Sequence, residues 1–483
     1  MTTEYQPNWR SLRQHQCPQW FKDAKFGIYT HWGIYSVPAI GPNTSWYGHD
    51  MYRGATAQHA AHLKRFGPAE KFGYKDFIPQ FTAEKFDADQ WAEAFAGAGA
   101  KFAGPVAEHH DGFSMWPTKT SRWNAAEMGP KRDVVGEQAK AFRAADMKYM
   151  VAMHHAEHWW FFPHWMKNTD AADPAFAEFY GEAHNTDISI PDADWDREAE
   201  WAMQDKPNEA FLKKWYDRLV EVVEGYEPDY IWFDFGLKFI REDLKQQFLA
   251  YYYNKGREWD REVLVTYKWD NLPPGTATVD IELGRMSDIT YFEWITDTTV
   301  DDGQAWGYME GAAYKSPTEL IHYLVDNVSK NGYMLLNVGP KADGTLPDEA
   351  LAILAEMGRW LGVNGEAIYG TTAWYKFGEG PTNFEVEGAF GDMSEKVAFT
   401  GKDFRFTVKD NVLYAIAMAW PDRTFVIESL SALYDGEVEK VEMLGHGGPL
   451  GFRQTSRGLE IDRPAQTAGD HAHTFKITRR TQY

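Results

Sequence analysis

Four apolar runs of this 483-residue sequence stop at side chains able to move a proton or grip a hydroxyl. One gives way to His31 and Trp32, a second to Glu108, His109, His110 and Asp111, a third to His154 and His155, and the run Tyr230, Ile231, Trp232, Phe233 to Asp234. A lone strand-end histidine is more often a hydrogen-bonded structural residue, but three strands that all end in histidine point to a shared polar site. A carboxylate directly after four apolar residues sits where burial is costly unless it is paired or functional. Taken alone, Asp234 reads equally as a helix N-cap, a buried ion-pair partner or a reactive group. Retaining glycoside hydrolysis needs such a carboxylate as nucleophile, with a second, protonated one about 5–5.5 Å away across the scissile bond. On that reading the partner lies on a later strand end.

These side chains need a scaffold that gathers strand ends at one face. Short apolar segments at 25–30, 101–107, 148–153, 229–233, 262–266 and 332–337 alternate with amphipathic helices, the rhythm of a parallel α/β barrel. The remaining two strands are placed around 289–292. Catalytic groups of such barrels sit at the C-terminal ends of the strands. Helix boundaries are well marked: Asp87 with Gln90 precedes Trp91, Ala94, Phe95 and Ala98, and Gly99 supplies a stop. Ser316, Pro317 and Glu319 form an N-cap, an N1 proline and an N3 carboxylate ahead of Leu320, Tyr323, Leu324 and Val328. After about Tyr369 the texture changes to short alternating segments such as VAFTG, FRFTVKDN, VLYAIAMAW, TFVIESL and FKITRR. The expected fold is an α/β class (β/α)8-like TIM barrel over 1–370 with a C-terminal antiparallel β-sandwich over 371–483.

Composition narrows the partners. Apolar residues at 44% and aromatics at 16% supply a large core and rings to spare for a cleft. The formal charge of −22 repels nucleic acid and anionic membrane, so neither is expected as a partner. No window approaches the roughly 18 uninterrupted apolar residues of a membrane span. Cys17 is the only cysteine, which excludes an intrachain disulfide and a cysteine-built zinc site. The first twenty residues lack a basic n-region followed by an apolar run, so the cytoplasm is expected; a leader removed from a longer precursor would fit the periplasm or secretion equally. The stretch Asn337 to Gly344 has glycines without the spacing of a phosphate loop, and Arg132 in GPKRD reads as structural.

Five motifs in order then make the chain resemble the α-L-fucosidases of glycoside hydrolase family 29. They are WFKDAKFGIYTHWGIYSVPA with SWYGHDMY, AEHHDGFSMWPTKTSRWNAAEMGPKRDVVGE, PDYIWFDFG, FEWITDTTVDDGQAWGYMEG and NGYMLLNVGPKADGTLPDEA, spread over roughly residues 18–375. The resemblance implies a barrel with a C-terminal β-sandwich, Asp234 as nucleophile, and His31, His109 and His110 as ligands of the fucose hydroxyls. It places Trp46 and Trp294 beside the sugar, with Ser45 standing where the family carries Glu. Where the family's third strand end is Tyr-rich this chain has His154 and His155, and His155 is expected to take the Tyr's place. Within TVDIELGRMSDITYFEWITDTT, Glu282 is the best match to the acid/base, with Glu293 and Asp280 as alternatives. The implied activity is retaining exo-hydrolysis of terminal α-L-fucosides on oligosaccharides or glycoconjugates, with no cofactor and no metal, and a homo-oligomer is compatible with it. Two other functions are compatible with the same residues. A metal-dependent barrel hydrolase would use His31, His109, His110, His154, His155 and Asp234 as ligands, although the first strand lacks a short HxH signature. A catalytically lapsed barrel would only bind fucosylated glycans.

Overall fold

The computed structural model describes residues 4–186, 205–269, 271–303, 305–382, 384, 387–391, 398–432 and 438–480. Eight parallel strands close in sequence order: β1 (Phe26–Thr30), β2 (Phe102–Glu108), β3 (Lys148–Met153), β4 (Tyr230–Phe233), β5 (Leu264–Lys268), β6 (Thr278–Asp280), β7 (Trp294–Thr299) and β8 (Gly332–Val338), with β8 pairing back onto β1. Their residues are buried almost without exception, because one face lines the barrel interior and the other lies under helices. That double burial is why the sequence shows continuous apolar runs there and not alternation.

The outer helices start where their caps dictate. The Asp87 side chain accepts from the backbone N–H groups of Asp89 and Gln90 at the head of helix Ala88–Gly97. Ser316 and Glu319 form a reciprocal capping box on helix Pro317–Ser329. Helix Glu209–Tyr226 turns Phe211, Leu212, Trp215, Leu219, Val222 and Val223 inwards against the barrel.

Two strands depart from expectation. Residues 289–292 form no strand; they run along a turn in which Tyr291 and Phe292 are exposed, and β7 begins at Trp294. β6 has three regular residues, after which Ile281 and Leu283 still donate backbone hydrogen bonds to Ile295 and Asp297 of β7. Both strands are hard to read in the sequence because their buried positions carry polar groups, Asp280 and Asp297 on the inner face and Thr296 on the outer one, where its hydroxyl meets that of Tyr323.

The second unit has a five-stranded antiparallel sheet, in the order β13, β16, β11, β10, β9, facing a three-stranded one, β12, β15, β14. These strands are β9 (Thr372–Glu379), β10 (Phe404–Lys409), β11 (Val412–Ala417), β12 (Thr424–Ile427), β13 (Val438–Met443), β14 (Phe452–Thr455), β15 (Gly458–Asp462) and β16 (His473–Arg479). Phe404, Phe406, Leu413, Phe425, Ile427, Phe475 and Ile477 fill the space between the sheets. Of VAFTG, Val397 lies outside the described residues and Ala398 to Gly401 form no strand. The two units are joined by a buried ion triad: Asp326 on helix Pro317–Ser329 accepts from Lys330 Nζ at 2.7 Å and from Arg405 of β10 at 2.5 Å. No helix among the described residues is long and apolar enough to cross a membrane.

Candidate active site

Strand register makes the first contact of the site. β3 and β4 pair Met153 with Phe233, so the next residue on each, His154 and Asp234, stand side by side at the C-terminal rim, His154 Nδ1 lying 3.1 Å from Asp234 Oδ2. Successive strand side chains point to opposite faces, so one of His154 and His155 must turn inwards and the other out. His154 turns in. His155 meets the Glu108 carboxylate, stacks on His158 and Phe211, and shares Glu108 with Arg218 of helix Glu209–Tyr226 in a buried outer cluster. The expectation that His155 faces the sugar is therefore corrected in favour of His154.

His110 is the second partner of Asp234. Its Nε2 lies 3.3 Å from Asp234 Oδ2 and 2.9 Å from Glu157 Oε2, while its Nδ1 lies 3.3 Å from the carbonyl of His154. Carbonyls and carboxylates only accept, so both ring nitrogens carry protons and the ring is an imidazolium. Burial opposes that charge, but Glu157 and Asp234 outweigh it and push the His110 pKa up to about 10. Burial alone would also raise the Asp234 pKa; His154 and His110 overcome it and hold the carboxyl well below its usual range. The chain turns past this pair at Gly236, whose φ is +93° and where a Cβ would lie 2.6 Å from Glu157 Cγ.

The neighbouring strand ends fix two neutral imidazoles. Asn337 of β8 donates through Nδ2 to the carbonyl of Trp306 at 2.6 Å, which turns its Oδ1 towards His31. That oxygen accepts from His31 N–H at 3.0 Å and from His31 Nδ1–H at 2.9 Å, leaving His31 Nε2 as a bare acceptor. His109 packs edge-on against His31 at 5.5 Å between ring centres, and its Nδ1 has no hydrogen-bond partner among the described residues. Burial holds both rings well below the usual histidine range, so they are neutral near pH 7. Donor atoms of His31, His109 and His154 lie within 4.8 Å of one another, as do those of His110, His154 and Asp234, so each set is compact enough to hold a metal ion. In the second set His110 is held as a cation between two carboxylates, which leaves it no lone pair for a metal, and the neutral rings of the first suit sugar hydroxyls as well as they suit a metal.

The opposite wall is acidic. Lys268, at the end of β5 and fully buried, reaches Asp297 at 2.7 Å, Asp280 at 2.9 Å and Glu282 at 3.2 Å. Asp280 also accepts from Trp232 Nε1 at 2.8 Å, and Asp297 from the Tyr29 hydroxyl at 2.8 Å. Burial raises the Glu282 pKa; Lys268 pulls it down, Asp297 and Asp234 push it up again, and it settles at about 8. Burial and Asp297 raise Asp280 as well, so the group around Lys268 titrates as a unit that retains a proton near neutrality. Glu282 lines the same cavity as Asp234, whereas Asp280 lies behind it among its buried partners.

The cavity is about 200 Å³, bounded by His31, His109, His110, Trp46, Trp232 and Trp306, with Asp234 and Glu282 among its lining. That is small beside the roughly 300–1,000 Å³ of pockets for drug-sized ligands and suits one monosaccharide ring. Ser45 lines it too, its Oγ donating to Asn43 Oδ1 at 3.2 Å. A larger cavity of about 610 Å³ opens outside the barrel beside Trp159, Gly181 and Phe211, away from Asp234 and Glu282.

Two other expectations fail on strand direction. Glu293 and Trp294 stand at the N-terminal end of β7, the opposite face of the barrel. Glu293 pairs with Lys22 at 2.9 Å, and Trp294 is buried against Gly332 with its indole nitrogen 3.4 Å from the Lys330 carbonyl. Neither lines the cavity; the aromatic of this region that does is Trp306, tilted against His31 at 5.4 Å. Lys268, Asn337, Glu157 and Phe390 were not singled out from the sequence. Lys268 and Asn337 had the same signal as the histidines, a polar residue at the end of an apolar run. Glu157 and Phe390 had none.

The family profile described as Alpha-L-fucosidase matches residues 1–366, and that described as Alpha-L-fucosidase C-terminal domain matches residues 394–478. The rat tissue α-L-fucosidase is 30% identical over 488 residues, covering 98% of this chain and 93% of its own length, and the human plasma enzyme is 30% identical over 479 residues, covering 96% and 90%. Among solved structures, the Thermotoga maritima α-fucosidase in complex with a mechanism-based inhibitor superposes with a TM-score of 0.78 at 30% identity, covering 98% of this chain and 100% of its own. The barrel, the carboxylate pair and these matches agree: the chain belongs to the α-L-fucosidases of glycoside hydrolase family 29 and is a glycoside hydrolase.

Proposed function

We propose that the protein releases terminal α-L-fucose from fucosylated glycans with retention of configuration, by double displacement. Asp234 attacks the anomeric carbon and the glycosidic C–O bond breaks, giving a β-fucosyl ester, while the Glu282 carboxyl gives its proton to the leaving oxygen. Glu282, now a carboxylate, takes a proton from water as the water's oxygen displaces Asp234, returning both groups to their starting states. The observation that carries this reading is the division of labour between two carboxyls facing one small cavity. Asp234 is held ionised by His154 and His110, and burial keeps Glu282 protonated up to about pH 8. His31, His109 and Trp306 fit the hydroxyls and the apolar edge of the sugar.

Proton NMR of the reaction on 4-nitrophenyl α-L-fucoside, in excess EDTA, tests both parts. The α-anomer of fucose should appear first and mutarotate afterwards. First appearance of the β-anomer would replace double displacement with inversion, and activity that disappears with the chelator would restore the metal reading.

A further inference from the structure

Asp234 and Glu282 define where a leaving group must go. The leaving oxygen has to sit within reach of Glu282, so whatever is attached to it emerges from the cavity past that residue. Three aromatic rings from three separate segments converge there. Phe235 directly follows the nucleophile, Trp269 directly follows the lysine that contacts Glu282, and Phe390 comes from the stretch between β9 and β10. The Phe390 backbone N–H donates to the carbonyl of Glu282 at 2.7 Å, and Arg285 and Gly388 exchange backbone hydrogen bonds just beside it, so this stretch is fastened to the loop that carries the acid. Phe235 and Trp269 meet at 4.6 Å between ring centres and Trp269 and Phe390 at 6.0 Å, both pairs close to edge-on.

This cluster is left uncovered. Trp269 is 42% exposed and Phe390 38% exposed, whereas most large rings of the barrel are buried. Exposed rings contiguous with a polar site usually mark a binding surface. Beyond Trp269 lies an outer cavity of about 450 Å³ that mixes the polar Glu242, Lys245 and Asn271 with the apolar Trp9, Leu272 and Pro273, so the ring, in contact with Phe235 and Phe390 on its other side, also borders a second recess.

We propose that Phe235, Trp269 and Phe390 form the subsite for the leaving group, and that its occupant is a pyranose presenting an apolar face of C–H bonds, as a galactoside does. The rings take that face, and the polar groups of the outer recess take the next unit of the glycan. The connection between β9 and β10 of the second unit thus helps to choose which fucosides are cleaved. This inference rests on the fucosidase reading above, with Glu282 as the acid.

The test compares kcat/KM for α-L-fucosyl fluoride, whose leaving group is one atom, with that for α-L-fucosyl-(1→2)-galactose, in the wild type and in Trp269→Ala and Phe390→Ala. Each alanine variant should lower the disaccharide-to-fluoride ratio about tenfold, and Phe390→Trp should restore it. Both side chains are partly exposed and the Phe390 contact to Glu282 is made by the backbone, so the variants keep the acid in place. A ratio that stays within twofold of wild type in both variants, whether or not the two substrates fall together, overturns the subsite. A wild-type protein that cleaves neither substrate removes the fucosidase reading, and the subsite with it. A wild type that cleaves both while the variants leave the ratio unchanged removes the subsite alone.

Discussion

Glu282 is the residue whose chemistry depends most on its surroundings. A carboxyl in water is ionised at pH 7 and cannot protonate a leaving group; burial beside Asp297 and Asp234, only partly offset by Lys268, raises its pKa to about 8. The sign follows directly. Glu282 is active as an acid below about pH 8 and loses its proton above, so kcat/KM should fall on the alkaline side with a midpoint near 8. The acidic limb, set by ionisation of Asp234, should lie below the ordinary carboxylate range. In Glu282→Gln that alkaline limb should vanish. Hydrolysis of a natural fucoside should drop by about 10²–10⁴, the usual worth of a general acid, while formation of the fucosyl-enzyme from 4-nitrophenyl fucoside suffers far less. Measuring both substrates across pH 4–10 checks this; an unchanged profile would take the acid role from Glu282. The sequence identified this residue only by resemblance, because nothing in TVDIELGRMS distinguishes Glu282 from Asp280. What separates them is depth, and depth comes from Lys268 and Trp232 holding Asp280 behind the cavity wall.

At the scale of the strand, alternation decides which of two adjacent histidines does chemistry. His154 and His155 are identical in type and one residue apart, so only the register of β3 against β4 assigns one to Asp234 and the other to Glu108. His154→Ala should remove one of the two groups that keep Asp234 ionised, lowering kcat by about 10²–10³, as loss of a preorganised electrostatic partner does. His155→Ala should instead leave the buried Glu108 short of a donor and cost about 1–3 kcal/mol of stability, with kcat per folded molecule nearly intact. Thermal melts beside steady-state kinetics distinguish the two, and equal kinetic losses would mean that the inward and outward assignments are wrong. Six barrel strands are legible because parallel strands buried on both faces read as apolar runs, and two are not because Asp297 and Asp280 interrupt the pattern to surround Lys268, and Thr296 interrupts it to bond Tyr323 on the outer face. The same strand direction puts Glu293 and Trp294 at the wrong end, since they begin β7 and do not finish it.

Over the whole molecule, the change of texture after about Tyr369 signalled a second unit, but sequence alone could not show how it meets the barrel. That junction contains the buried triad of Asp326, Lys330 and Arg405. Burial pushes the Asp326 carboxyl up, yet the two cations beside it prevail and bring its pKa down to about 2 from 3.8. A depressed carboxyl contributes stability that is fully present above its unfolded value near 4 and fades as pH falls through about 2. Asp326→Asn should therefore destabilise the junction by about 3–5 kcal/mol at pH 7, because two buried cations lose their counter-ion. In urea titrations the gap between wild type and variant should narrow between pH 4 and pH 2; a gap independent of pH would mean that the pair contributes through packing and not through charge.

Double displacement requires Asp234 to form a covalent bond to the sugar. Incubation with a 2-deoxy-2-fluoro-fucosyl fluoride, which slows breakdown of the ester more than its formation, followed by proteolysis and mass spectrometry, reads this directly. The expected result is one fluorofucosyl group per chain, attached to Asp234 in the peptide that carries Tyr230 to Gly236. A label on Glu282, Asp297 or Glu157, or steady turnover of the reagent with no covalent adduct, would contradict it.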